Sequence, residues 1–333
     1  QAEDDVTVVW RHHHHWLQTG QAPPPRPEAQ ALSSTSREEE AASLAEQLQK
    51  KQEAAEPARI GAAYKLASLG DSRLAVRHLG AALYSDRESV RRAATYGLTA
   101  VGPDATDTLL AAVSSPIKWV RKAGVYGLGD VSELTEKVLH AVVARLTVDP
   151  SVYVRAVAAG SLGCLGRRAA GTGVGRNLIP RCLEALVESL DHEVNRLAMD
   201  RAQQRSIKFA RPTDDCDVCE GGGVDFGFER FQPVRSAVRE NALWSVVILC
   251  SHGAAIAGAA LEPTIHALRK VVATDENVIC VGFAMDALNR LAYLRPEDEQ
   301  ILSAIEELQA DMTRILASSP VHCREALVRG GAA

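Results

Sequence analysis

The sequence predicts an all-α protein, a solenoid of stacked helix pairs with one irregular insertion. Three observations lead there. Apolar residues make up 46% of the 333-residue chain but aromatics only 5%, so the core is mostly Ala, Leu and Val, which helices accept. One spacing pattern recurs along most of the chain, and amphipathic stretches lie between its occurrences. Each unit therefore reads helix, turn, helix, and a unit that cannot bury its apolar face alone must stack on its neighbours.

The pattern is plainest in SVRRAATYGLTAVG (89–102), WVRKAGVYGLGDV (119–131) and YVRAVAAGSLGCLG (153–166). With Val90, Val120 and Val154 as origins, the same frame fits Ala58, Val194, Val238 and Cys280, giving seven anchors. Position +4 is then Ala62, Ala94, Gly124, Ala158, Ala198, Ala242 and Ala284. Position +8 is Leu66, Leu98, Leu128, Leu162, Ala202, Val246 and Leu288. Position +11 is Leu69, Val101, Val131, Leu165, Arg205, Leu249 and Leu291. Steps of four, four and three put these side chains on one helical face, and the small residues at +4 predict a close neighbouring helix.

The second helices are expected at 73–83, 107–113, 134–148, 178–190 and 263–273. Gly70, Gly102 and Gly166 follow anchor helices, where left-handed C-terminal caps are expected. Asp149-Pro150 reads as an N-cap followed by a first-turn proline. Residues 37–59, rich in Glu and Lys, read as a charged helix capping the array.

These units resemble HEAT repeats. The shorter ones resemble the HEAT-like repeats of phycobilin lyases, which carry an Asp before Val-Arg, then Ala and Leu-Gly. Asp86 with Val90-Arg91 and Asp149 with Val154-Arg155 match that pattern. The resemblance covers roughly 58–295 and departs at the fifth unit, with Asn195 and Arg205, and at the last, where Val281 replaces Arg. It implies an architecture that unrelated scaffolds share, so it speaks to fold more than to activity. HEAT-like repeats also build deoxyhypusine hydroxylase, whose irons need several His-Glu pairs. The single pair His192-Glu193 cannot hold two irons, which excludes that activity.

A net charge of −5 argues against a nucleic-acid surface, and no apolar run is long enough for a membrane span. Seven cysteines without a framework of spacings suggest free, core-packed thiols and the cytoplasm or another reducing compartment. The chain begins with Gln and has no signal-peptide layout, as expected of the C-terminal part of something longer. Residues 1–36 read as a His/Pro-rich tail or the remnant of an upstream domain. The solenoid occupies 37–317 with its insertion at 207–233, and 318–333 is a C-terminal tail.

Few residues point to chemistry. Four consecutive histidines at 12–15 diverge in direction, so at most two or three can meet one metal. GTGVGRN (171–177) follows a helix rather than a strand and reads as a loop, not a phosphate cradle. Arg59, Arg91, Arg121, Arg155 and Arg239 recur at +1. Such a column either offers forks to an acidic partner or bonds acids and carbonyls within the repeats.

The insertion carries four of the five phenylalanines, at 209, 226, 228 and 231, beside acidic residues and glycines. Phe226, Phe228 and Phe231 either dock a partner or anchor the loop to the solenoid. Cys216 and Cys219, in CDVCEGGG, resemble one zinc-binding unit of the DnaJ chaperones, which use four. Zinc wants four ligands and no second pair is present, so the pair reads as a plain loop or reversible disulfide, a partial zinc site, or a redox pair.

The sequence thus points to a non-enzymatic scaffold that binds a protein partner on the concave face and insertion. Arg91, Arg121, Arg155 and the three phenylalanines are the candidate contacts, with no nucleic acid and no membrane. The alternatives are a phycobilin lyase or its accessory subunit, and the C-terminal regulatory region of a larger enzyme.

Overall fold

The computed structural model describes residues 34–49, 56–131, 135–170, 172, 175–206, 231–252, 260–275, 277–299, 301–303 and 305–306. These residues form twelve α-helices and a short 3₁₀ turn, Pro103–Ala105, with no strand among them. In chain order the helices are α1 Ser34–Gln49, α2 Glu56–Ala67, α3 Ser72–Ala82, α4 Glu88–Val101, α5 Thr106–Val113 and α6 Lys118–Asp130. Then follow α7 Glu136–Val148, α8 Val152–Ala170, α9 Gly175–Ser206, α10 Phe231–Cys250, α11 Leu261–Thr274 and α12 Val278–Leu294. Each odd-numbered helix packs against the even-numbered helix that follows it, and the pairs stack. The fold is an α-solenoid.

The even-numbered helices carry the anchors. Their +4, +8 and +11 residues are buried: Ala94, Leu98 and Val101 in α4, Ala158, Leu162 and Leu165 in α8. At Gly124 an added Cβ would lie 2.8 Å from the Val113 nitrogen, so the predicted close approach is that of α5. Local chemistry sets several helix ends. Asp71 caps α3 through the Leu74 N–H at 3.0 Å, and Thr135 and Asn277 cap α7 and α12. Gly70 and Gly102 take positive φ of 76° and 86°, but Gly102, with ψ −139°, ends α4 outside the left-handed helical region expected of it.

Four further expectations change. The charged 37–59 region is no single cap: α1 buries Ala41, Leu44 and Leu48 against α2 and α3, making the first full pair. Gly166 lies inside α8, where a Cβ would run into the Leu249 side chain, so it serves packing rather than capping. Asp149 is no N-cap: α8 starts at Val152, and the carboxylate accepts the Ser151 N–H at 2.9 Å.

The fifth anchor is missing as well. Residues 178–190 and the frame at Val194 form one uninterrupted helix, α9. No Gly or Pro lies between Leu190 and Ser206 to stop it. The next anchor helix after α8 is α10, so Val154 and Val238 occupy adjacent units although 84 residues separate them.

The two layers are built differently. Anchor helices meet through small residues: Gly129 lies against Ser161, Gly163 against Ser245. The Ser161 hydroxyl donates to the Val125 carbonyl at 3.1 Å and that of Ser245 to Ala159 at 2.8 Å. Odd-numbered helices touch one another over shorter stretches and are bridged by exposed ion pairs, Lys137–Asp107 and Lys270–Asp191. The anchor helices thus form the more closely packed of the two layers.

Candidate functional site

The +1 arginines are structural in position. Arg91, Arg121 and Arg155 are each 8% exposed, too little for a partner to use their forks. Each guanidinium donates to two carbonyls of the turn before its own helix: Arg91 to Ser85 and Asp86, Arg121 to Ser115 and Pro116, Arg155 to Asp149 and Pro150. Arg121 also grips Asp149 with two bonds of 2.8 and 3.0 Å, and Arg155 grips Glu193 at 2.7 Å. Arg239 meets Asp275 through one guanidinium nitrogen, one unit further on. Arg121, Arg155 and Arg239 are thus clamps that tie their units to an acid further along the chain. Glu193, half of the His-Glu pair, is buried in this role, whereas His192 faces outward beside Glu188.

Position +6 of the same frame holds Tyr64, Tyr96, Tyr126, Gly160, Trp244 and Asp286, an aromatic ladder interrupted at Gly160 and ended by Asp286, and Tyr126, Gly160 and Trp244 line one cleft. The Tyr96 and Tyr126 rings meet edge to face at 6.1 Å. Burial, then Tyr96 and Asp130, push the Tyr126 hydroxyl well above its ordinary pKa of 10. It is therefore a neutral donor at every physiological pH.

At the gap lies a cleft of about 210 Å³ formed by three successive anchor helices. Tyr126 and Trp244 stand on its sides, Ala156 and Gly160 lie in its floor, and Asp130, Cys164 and Asn241 supply its polar atoms. Asp130 is held by Arg168, which also donates to the Val131 carbonyl at 2.8 Å. Burial raises the Cys164 thiol to about 12, so it is no nucleophile.

One to two turns toward the helix N-termini the surface is basic and aromatic. Trp119 and Tyr153 lie 5.6 Å apart. Lys118 stands 4.9 Å from the Trp119 ring and Lys122 5.5 Å, with Lys122 also 5.7 Å from Tyr153. Arg91 approaches the same indole at 5.9 Å. Glu88 lies 3.6 Å from Lys122.

Residues 76–163 match the HEAT-repeat family. The match is to HEAT repeats at large, and the narrower likeness to phycobilin-lyase units rests on the sequence motifs alone. No curated protein matches the chain in sequence. Among solved structures, the chain is similar to the karyopherin Kap95p bound to RanGDP, with a TM-score of 0.50 at 13% identity over 90% of this chain and 36% of that one. It also aligns with yeast importin-β (TM-score 0.40, 12% identity, 97% of this chain, 43% of that). A designed armadillo repeat protein aligns with a TM-score of 0.32 at 15% identity, over 75% of this chain and 98% of that one. These likenesses concern the fold.

Phe226, Phe228, Cys216 and Cys219 lie outside the described residues, as do the four histidines; Phe231 begins α10 and its side chain is also outside them. Among the described residues no group of three His, Cys, Asp or Glu is placed to hold a metal. No described helix is long and apolar enough to cross a membrane. The +6 ladder is what the sequence reading missed. It sat in the same frame as the buried positions, two residues beyond +4, and carries three tyrosines and a tryptophan in a chain with only 5% aromatics.

Proposed function

We propose that the protein is a non-enzymatic interaction scaffold that binds a protein partner along the concave face of the anchor helices, assisted by the 207–233 insertion. The observation that carries this reading is the cleft: Tyr126 and Trp244 line it, the Tyr96 ring meets Tyr126, and Lys118 and Lys122 stand by Trp119 one to two turns away. Aromatic side chains beside cations dominate binding energy at protein interfaces. The fold-level likeness to Kap95p, a karyopherin solved with RanGDP, supports a solenoid in that role. The buried arginines are left out of the contact surface, and Phe226, Phe228 and Phe231 stay in it.

The test replaces Phe226, Phe228 and Phe231 with Ala and measures a cross-linked partner, purified and rebound to the variant. Weaker binding with unchanged helical circular dichroism supports the reading. Lost helicity shows instead that the rings hold the solenoid together. The scaffold needs no cofactor, and zinc at Cys216 and Cys219, which would take further ligands from elsewhere, is the alternative to a plain loop. Metal content per chain after tag-free purification decides it, and zinc-free protein removes the metal.

A further inference from the structure

The helical glycines fall into two kinds. At Gly124, Gly129 and Gly163 a Cβ would collide with the backbone or a short side chain of an adjoining helix, so packing demands glycine, and at Gly80, Gly97, Gly127 and Gly166 it would crowd a neighbouring Thr or Leu side chain that must give way. Gly160 is different. A Cβ there meets only the Asn241 Oδ1, at 3.8 Å, and its φ is not left-handed. Glycine in a helix interior destabilises relative to alanine, and neither packing nor backbone requires it here. Gly61 and Gly282 are equally open, yet neither lines the cleft.

What Gly160 does is leave a rung out of the aromatic ladder. We infer that it keeps open a slot between Tyr126 and Trp244 that receives one large apolar side chain from an acidic segment of the partner. This rests on the scaffold reading above. The size argues for a side chain: about 210 Å³ falls short of the roughly 300–1,000 Å³ of small-molecule sites.

The charge around the slot selects the segment. Lys122 precedes Tyr126 by one helical turn, with Lys118 beside it on Trp119. Arg167 and Arg168 follow Cys164 by one turn on the other side. Two acids stand among these four cations, Asp130 on Arg168 and Glu88 at 3.6 Å from Lys122, so positive charge is in excess. A protein of net charge −5 thus presents cations on both sides of an apolar slot, which favours Asp or Glu flanking the inserted residue.

The test uses the full chain and a library of random 12-residue peptides displayed on phage. Enriched peptides are remade with a fluorophore and titrated against wild type, Gly160→Ala, Gly160→Phe and Lys122→Glu. The expected result is a shared Trp, Phe or Leu flanked by Asp or Glu, with binding weakened at least about tenfold by Gly160→Phe. Gly160→Ala should raise the melting temperature, and 0.5 M salt should weaken binding. Should Gly160→Phe fail to fold, Lys122→Glu carries the test, and unchanged affinity for the acidic peptides then overturns the proposal. Peptides bound equally by a folded Gly160→Phe overturn the slot but leave the scaffold standing. No enriched peptide also overturns the slot, while the phenylalanine variants still judge the scaffold independently. Equal competition by a synthetic peptide of residues 207–230 would make the chain's own segment the occupant and overturn the proposal too.

Discussion

At Asp149 a single carboxylate, 1% exposed, ties three parts of the chain together: Arg121 on α6, Arg145 on α7 and the Ser151 N–H before α8. Removing one partner of a buried pair strands the other charge, which costs about 3–5 kcal/mol. Asp149→Ala should therefore lower stability by about that much in urea unfolding, far more than removal of the exposed Asp107, whose pair with Lys137 is worth about 0–1 kcal/mol. Four buried cysteines give a second residue-scale expectation. Burial lifts the thiols of Cys164, Cys182, Cys250 and Cys280 to about 12, from 9 when exposed. Above pH 9 the unfolded chain loses these protons while the folded one keeps them, so their contribution to stability falls as pH rises from 9 to 12. Denaturation midpoints across that range, compared with a variant carrying Ala at all four positions, would show the slope diminish in the variant. Some of this was legible in sequence. The recurrence of Arg at +1 was legible and left two uses open, a partner's acids or the repeat's own, and the acids themselves were not legible, since Asp149 and Glu193 lie 28 and 38 residues downstream of their arginines.

Among the helices, α8 and α10 show how closely the anchor layer fits. A Cβ at Gly163 would collide with Ser245, and the Ser245 hydroxyl bonds the α8 backbone. Gly163→Leu must push the two helices apart, an overpacking expected to cost about 1–3 kcal/mol and visible as a lower melting temperature. Helix existence and helix faces were readable from periodicity, because burial repeats every three or four residues wherever units stack. The number of units was not. The frame at Val194 kept its small +4 residue by chance of composition, whereas Asn195 and Arg205 broke the pattern and marked a helix that simply continues. Gly166 misled for a related reason. A glycine near the end of an apolar run signals a cap or a close contact equally well, and only the position of Leu249 distinguishes them.

The whole molecule is held by contacts between neighbours in space, and at one step these are remote in sequence. Across the α8–α10 interface Gly163 lies against Ser245 and Gly166 against the buried Leu249, with the Ser245 hydroxyl bonded to Ala159. Burial of a side chain such as Leu249 is worth about 1.5–3 kcal/mol. Backbone continuity between Ser206 and Phe231 is therefore not what joins the two sides. If the polypeptide were cut between those residues, the pieces ending at Ser206 and starting at Phe231 should remain one particle in size-exclusion chromatography, whereas separate elution would show that the interface is too weak alone. Expressed as two separate chains, the same pieces should find each other and rebuild the cleft. The long step in the repeat is thus a natural seam, where this protein can be split, lengthened or grafted onto another without disturbing its anchor-helix wall.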